Sequence, residues 1–98
     1  MIHIVKGDDA DIFIHLHLDE DLVQEVTFNC PDLGIKKEAH YDVEFRCFTL
    51  KLPAEETGSF SLGFHRFSVA LKFIDGQQFT PMPEGIVEVL RNREVKDE

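Results

Sequence analysis

The sequence predicts an all-β fold, an antiparallel β-sandwich of about seven short strands. The first observation is a strict alternation in residues 66–73, which is the pattern of a half-buried strand. Its apolar face carries Phe67, Val69, Leu71 and Phe73. The second observation is the pair Asp75-Gly76, which supplies a tight hairpin turn directly after this strand. The third is that short apolar runs alternate with turn residues along the whole chain, without an amphipathic helix.

Length and composition bound the architecture. A chain of 98 residues forms one domain, which we place at residues 1–90, followed by a charged tail at residues 91–98. Hydrophobic residues make up 43% of the chain, which is too many for a disordered protein. Nine phenylalanines without a tryptophan place most of the aromatic area in a core.

Charge narrows the classes of partner. Nineteen acidic and ten basic residues give a net charge of −9. This charge repels phosphate backbones and anionic lipids, so we expect neither nucleic acid nor a membrane surface and favour a basic protein partner. The first residues lack the pattern of a secretory signal, and no stretch reaches about 18 apolar residues, so we expect a cytoplasmic protein after synthesis.

The N-terminal half divides into three strands. Ile2 and Ile4 open the first, which ends at the turn of residues 6–9. Residues 10–18 form the second strand. One of its faces carries Ile12, Ile14, Leu16 and Leu18, and the other carries Phe13, His15 and His17. Residues 19–21 are a solvated loop, and residues 22–30 form the third strand. Its inward residues are Val26, Phe28 and Cys30, and residues 31–34 close it.

The middle of the chain is less regular. Residues 36–40 are polar, which suits a loop or a helical turn, and residues 31–40 have no assigned role. Residues 41–52 are expected to form one long strand whose alternation changes phase, as at a bulge or a crossing between sheets. Val43, Phe45 and Cys47 point one way, and Phe48, Leu50 and Leu52 continue on the opposite parity. Residues 53–58 form a turn or a single helical turn. The last strand is interrupted at residues 81–83 and restarts at Gly85.

Cys30 and Cys47 are the two cysteines, and we expect reduced, buried side chains because no secretory signal accompanies them. Their pairing is left open, since it depends on a Cα separation below about 7 Å.

Histidines are the best candidates for chemistry. His15 and His17 lie two residues apart on one strand face, and His3 on the first strand would reach the same side, a set that suits zinc or copper. The sequence places no further ligand, so a half-exposed strand face is favoured over a metal site. No activated serine or cysteine and no complete calcium loop is present. We therefore predict no enzyme and no cofactor.

Several short motifs resemble a known family. The segments are Gly63-Phe64-His65-Arg66-Phe67-Ser68-Val69, Asp75-Gly76, Thr80-Pro81 and Gly85-Ile86-Val87-Glu88-Val89, together with Lys6-Gly7-Asp8 near the start. They resemble the immunoglobulin-like modules of phage tail and baseplate proteins, which typically read Gly-x-Tyr-x-Tyr-x-Ile, a hairpin, and Gly-x-aromatic-x-Val. His65 and Phe67 stand where the family prefers tyrosine, and Ile86 replaces the aromatic residue.

This resemblance implies an immunoglobulin-like sandwich that acts as a non-enzymatic virion component or assembly factor. Such a module docks onto neighbouring protein subunits through sheet edges, and self-association into a homo-oligomer is left open. The expected interaction edge is the first strand, Ile2, His3, Ile4 and Val5. Two alternatives are kept: a generic immunoglobulin-like binding domain, and a small metal-binding protein that uses His3, His15 and His17.

Overall fold

The computed structural model describes residues 2–16 and 19–91. Within these residues seven strands follow one another with a single short α-helix. They are β1 (Ile2–Val5), β2 (Ala10–Ile14), β3 (Val23–Cys30), β4 (Ile35–Asp42), β5 (Cys47–Leu52), α1 (Ala54–Thr57), β6 (Gly63–Phe73) and β7 (Gln78–Leu90). Short 3-10 turns at Glu20–Leu22 and Pro31–Leu33 flank β3. No helix in the described part of the chain is long and apolar enough to span a membrane.

The strands form two layers that share β4. Hydrogen-bonded neighbours follow the order β1-β7-β6-β3-β4-β5-β2, and β1 with β7 is the parallel pair. The first part of β4 pairs with β3, whereas residues 40–42 pair with β5, which in turn pairs with β2. Because β4 passes from one layer to the other, the layers face each other as in a β-sandwich. The predicted fold class is confirmed.

The core lies between the layers and follows the predicted alternation. Val26, Phe28 and Cys30 of β3 are buried, and so are Phe67, Val69 and Leu71 of β6. The rings of Phe28 and Phe67 stack with centroids 4.9 Å apart. Gly85 lies opposite Phe67 on β7, and a Cβ atom at this position would overlap the Phe67 ring. The glycine is therefore required for the packing of this ring.

The strand prediction was wrong at residues 36–40, which belong to β4. Ile35 and Ala39 are buried there, whereas Lys36, Glu38 and His40 are exposed. Backbone pairing with β3 and the two buried side chains hold this polar segment in a strand.

The expected long strand over residues 41–52 is also wrong. Residues 43–46 form a turn between β4 and β5, so the exposed Val43 and Phe45 do not share a strand face with the buried Cys47. The Asp42 carboxylate accepts hydrogen bonds from the backbone N–H groups of Glu44 and Phe45, and Arg46 has a positive φ of 56°. The phase change in the alternation marks a hairpin between two strands.

Two strand ends differ from expectation. β2 ends at Ile14, before the predicted end at residue 18. Residues 17 and 18 lie outside the described residues. β7 runs as one strand through residues 81–83, with register shifts against β6 between Phe67 and Leu71. Pro81 and Pro83 lie in the part of β7 that pairs with β6 alone. The missing backbone N–H of a proline is tolerated in such an edge segment. The predicted tail lies outside the described residues except for Arg91.

Replacing Leu71 with alanine should lower the free energy of unfolding by about 2 to 5 kcal/mol, because it opens a cavity between the layers. Lys72→Ala on the opposite face is the matched control and should change stability by less than about 0.5 kcal/mol. Urea unfolding measures both values. Equal losses would contradict the register of β6.

Candidate interaction edge

β1 lies at one end of the strand order and presents one side to its neighbour. It pairs in parallel with β7 from Ile2 opposite Val87 to Val5 opposite Leu90. The Ile4 side chain is buried in the core, whereas His3 points to the exposed face. The strand is therefore anchored by its inward side chains and by β7.

The backbone of β1 offers hydrogen-bonding groups on its outer side. Lys6 donates its N–H to the carbonyl of Leu90 at 2.9 Å, so this peptide group faces β7. Successive residues of a strand direct their main-chain groups to opposite sides, which turns those of His3 and Val5 away from β7. The Val5 carbonyl accepts a bond from the N–H of Asp8 in the following turn. The groups of His3 and the N–H of Val5 are thus placed for pairing with an added strand.

The turn after β1 is fastened to helix α1 by side chains. The Thr57 hydroxyl is buried, accepts a hydrogen bond from the N–H of Gly7 at 3.1 Å, and donates to the carbonyl of Asp8 at 2.8 Å. The Asp9 carboxylate accepts from the N–H of Ala54 at 2.7 Å, which caps the start of α1. The Lys6 ammonium donates to the carbonyl of Phe60. These four bonds, which we call the turn clasp, fix where β1 ends.

The exposed face beside this edge carries both charged and apolar side chains. His3 Nδ1 lies 3.2 Å from a carboxylate oxygen of Glu88, its register partner on β7. On the next strand Phe64 lies opposite Glu88, and 64% of its surface is exposed.

The histidine set considered for a metal does not converge among the described residues. His3 lies on β1 and pairs with Glu88, whereas the exposed His15 follows β2 at the opposite end of the strand order. His17 lies outside the described residues. Residues 2–16 and 19–91 contain no group of three or more histidine, cysteine, aspartate or glutamate side chains placed to hold a metal ion.

Both cysteines are free and buried. Burial raises the pKa of the Cys30 thiol, and the charge of Asp32 adds to this increase. Burial likewise raises the pKa of Cys47, with a contribution from Asp42. A raised pKa keeps a thiol protonated near neutral pH, so neither side chain has the character of a nucleophile.

One surface feature was missed by the sequence analysis. The rings of Phe13 and Phe45 contact each other edge to face on the outside of the second layer, with centroids 5.4 Å apart. The sequence pattern predicts Phe45 in a strand, on one face with Val43 and Cys47. The signal that would have placed it outside is Asp42, whose side chain favours a turn over the next residues.

Comparison with known proteins supports the fold class alone. No protein-family model matches this chain, and no curated protein matches it. Among solved structures it is similar to the fibronectin(III)-like modules of Clostridium thermocellum CbhA, with a TM-score of 0.55 and 16% sequence identity over 91% of this chain and 85% of that chain. At this identity the likeness shows a fibronectin(III)-like β-sandwich, which has the immunoglobulin-like architecture.

Replacing Thr57 with valine should lower the free energy of unfolding by about 1 to 3 kcal/mol, because the isosteric side chain leaves the N–H of Gly7 and the carbonyl of Asp8 without their partner. Thr57→Ser is the matched control, since it keeps the hydroxyl and loses a methyl group. Chemical denaturation compares the two. A valine variant as stable as the unchanged protein would show that the hydroxyl does not stabilise this turn.

Proposed function

We propose that this protein is a non-enzymatic interaction module of a phage or prophage tail or baseplate, where it serves as a structural component or an assembly factor. It is made in the cytoplasm and is incorporated into the virion or acts during its assembly. Its partner is another protein subunit, bound by strand addition to β1.

The observation that carries this proposal is the outer side of β1. The main-chain groups of His3 and the N–H of Val5 point away from β7 at the end of the layer. An extended segment of a partner would pair with them, and main-chain bonds of this kind supply affinity without demanding a particular sequence.

Fold and charge support the same conclusion. A fibronectin(III)-like fold suggests a binding or structural module, and modules of this kind are typically not catalytic. The net charge of −9 keeps copies of the chain apart and accelerates encounter with a basic subunit. The phage assignment rests on the sequence motifs near residues 6–8, 63–69 and 85–89.

The assignment to a virion is tested by mass spectrometry of particles purified after prophage induction of the source strain. We expect this polypeptide in the particles at a defined copy number. Presence in the lysate with absence from the particles would restrict it to an assembly factor. Absence of any association with virion subunits would leave the generic binding domain as the function.

Replacing Val5 with proline tests the edge itself. Proline removes an N–H that faces away from β7, so the ladder of β1 stays intact while the partner's binding falls about tenfold or more. Val5→Ala is the matched control, because it shortens the side chain and keeps the N–H. Binding to the virion subunits is measured by titration calorimetry, with thermal melting as the check of the fold. Equal affinities of the proline and alanine variants would remove β1 as the contact.

A further inference from the structure

A second edge of the sandwich carries features that the proposed function does not use. We infer that β2, together with Phe45, forms a docking surface for an extended segment of a basic protein chain, which adds to the second layer as a strand. We call this the β2 surface. It lies at the opposite end of the strand order from β1, and it stands whether or not the protein belongs to a virion.

One side of β2 has a neighbour and the other does not. Within residues 2–16 and 19–91, β2 pairs with β5 from Ala10 opposite Leu52 to Ile14 opposite Phe48. The preceding strand β1 crosses to the other layer and pairs with β7. The second layer therefore ends at β2 in the described structure, and the outer main-chain groups of this strand form a template for a further strand.

β2 lacks the features that protect the open part of β7. Proteins usually blunt exposed edges with proline, lysine, bulges or very short strands. The open part of β7 contains Pro81 and Pro83, and its register against β6 is shifted. β2 reads ADIFI, without proline or a basic residue, and its register against β5 has no shift. An edge without these features is open to pairing with a further strand.

An aromatic pair lies directly beside this edge. Phe13 on β2 is 45% exposed and Phe45 on the hairpin is 56% exposed, and the two rings contact each other. Val43 on the same hairpin is 80% exposed. Large apolar rings in water are costly unless a partner covers them, and aromatic side chains of this type carry much of the energy of protein interfaces.

The spacing on β2 defines the chemistry of the occupant. Asp11 and Phe13 are two residues apart and share the exposed face. In a strand paired with β2, two residues at the same spacing lie opposite them, so a cation and an apolar side chain fit these positions. Asp9 and Asp11 border a shallow depression of about 320 Å³ whose one ammonium is that of Lys51. Excess carboxylate at this end favours a lysine or arginine.

Charge decides between a second copy and a different protein. Each copy carries a net charge of −9, so pairing two β2 edges brings like charges together at close range. A basic chain is attracted electrostatically to this acidic protein, whereas a second copy is repelled. The occupant is therefore an extended segment of another, basic protein.

The probe is a synthetic nonapeptide that alternates threonine with lysine and isoleucine, in the order Thr-Lys-Thr-Ile-Thr-Lys-Thr-Ile-Thr. Titration into the full chain is followed by two-dimensional NMR of the backbone amides. We expect shifts concentrated on residues 10–14 and slower hydrogen exchange of the β2 amides. A peptide with glutamate in place of lysine should bind at least about tenfold more weakly, because it meets the carboxylates of this edge.

Variants of the chain sharpen the test. Phe13→Ser should weaken peptide binding about tenfold or more, whereas Phe64→Ser, which removes a ring of similar exposure from the other layer, should leave it unchanged. Asp11→Lys should reverse the preference, so that the glutamate peptide binds more tightly than the lysine peptide. Thermal melting confirms that each variant is folded.

Three results would overturn the inference. Shifts that fall on β1 instead of β2 would move the strand addition to the other edge. Equal effects of Phe13→Ser and Phe64→Ser would show that the aromatic pair takes no part. A dimer that forms with increasing protein concentration and is abolished by Phe13→Ser would make a second copy the occupant.

Discussion

The buried hydroxyl of Thr57 is the contact on which the arrangement of the edges depends. It bonds the N–H of Gly7 and the carbonyl of Asp8 in the turn where the chain leaves one layer for the other. Because this turn is held against α1, β1 ends beside β7 and β2 begins beside β5. The two consecutive strands therefore close different layers instead of pairing with each other. The turn between the two ends of the strand order is held by a small cluster of hydrogen bonds around the buried Thr57 side chain.

Open edges and a large negative charge are complementary features of this molecule. An unpaired strand edge is a site for non-specific pairing with any extended chain, including a second copy. A net charge of −9 on 98 residues raises the energy of such self-association and leaves association with basic partners favourable. The exposed faces near the edges combine apolar rings with carboxylates. Phe13 lies two residues from Asp11 on β2, and Phe64 lies opposite Glu88. In the proposed strand addition, charge and side-chain spacing would set the specificity for the partner, since main-chain bonds discriminate little between sequences.

The sequence predicts those parts of the fold in which local alternation and burial coincide. In residues 26–30 of β3 and residues 67–73 of β6 every second residue is apolar, and the sequence predicts these parts together with their inward faces. β4 was missed because its inward positions include only Ile35 and Ala39 among charged residues, so its stability comes from neighbours that a local pattern does not reveal. Phe45 shows the opposite error. Its apolar side chain suits a core, but the turn of residues 43–46 places it on the surface. The position of β1 was predicted from its short apolar run, whereas its parallel partner was not, because pairing across 80 residues and more leaves no periodic trace in sequence.

The turn clasp also bears on how well an edge can bind. A four-residue strand held by one neighbour is close to the lower limit of what a ladder alone can order. Fixing its end through Thr57, Asp9 and Lys6 removes conformational freedom before any partner arrives. A strand that is already ordered loses less entropy on pairing, so more of the energy of the new hydrogen bonds appears as affinity. In the proposed strand addition, hydrogen bonds that stabilise the fold at residues 6–9 would therefore also strengthen the binding of a partner to β1.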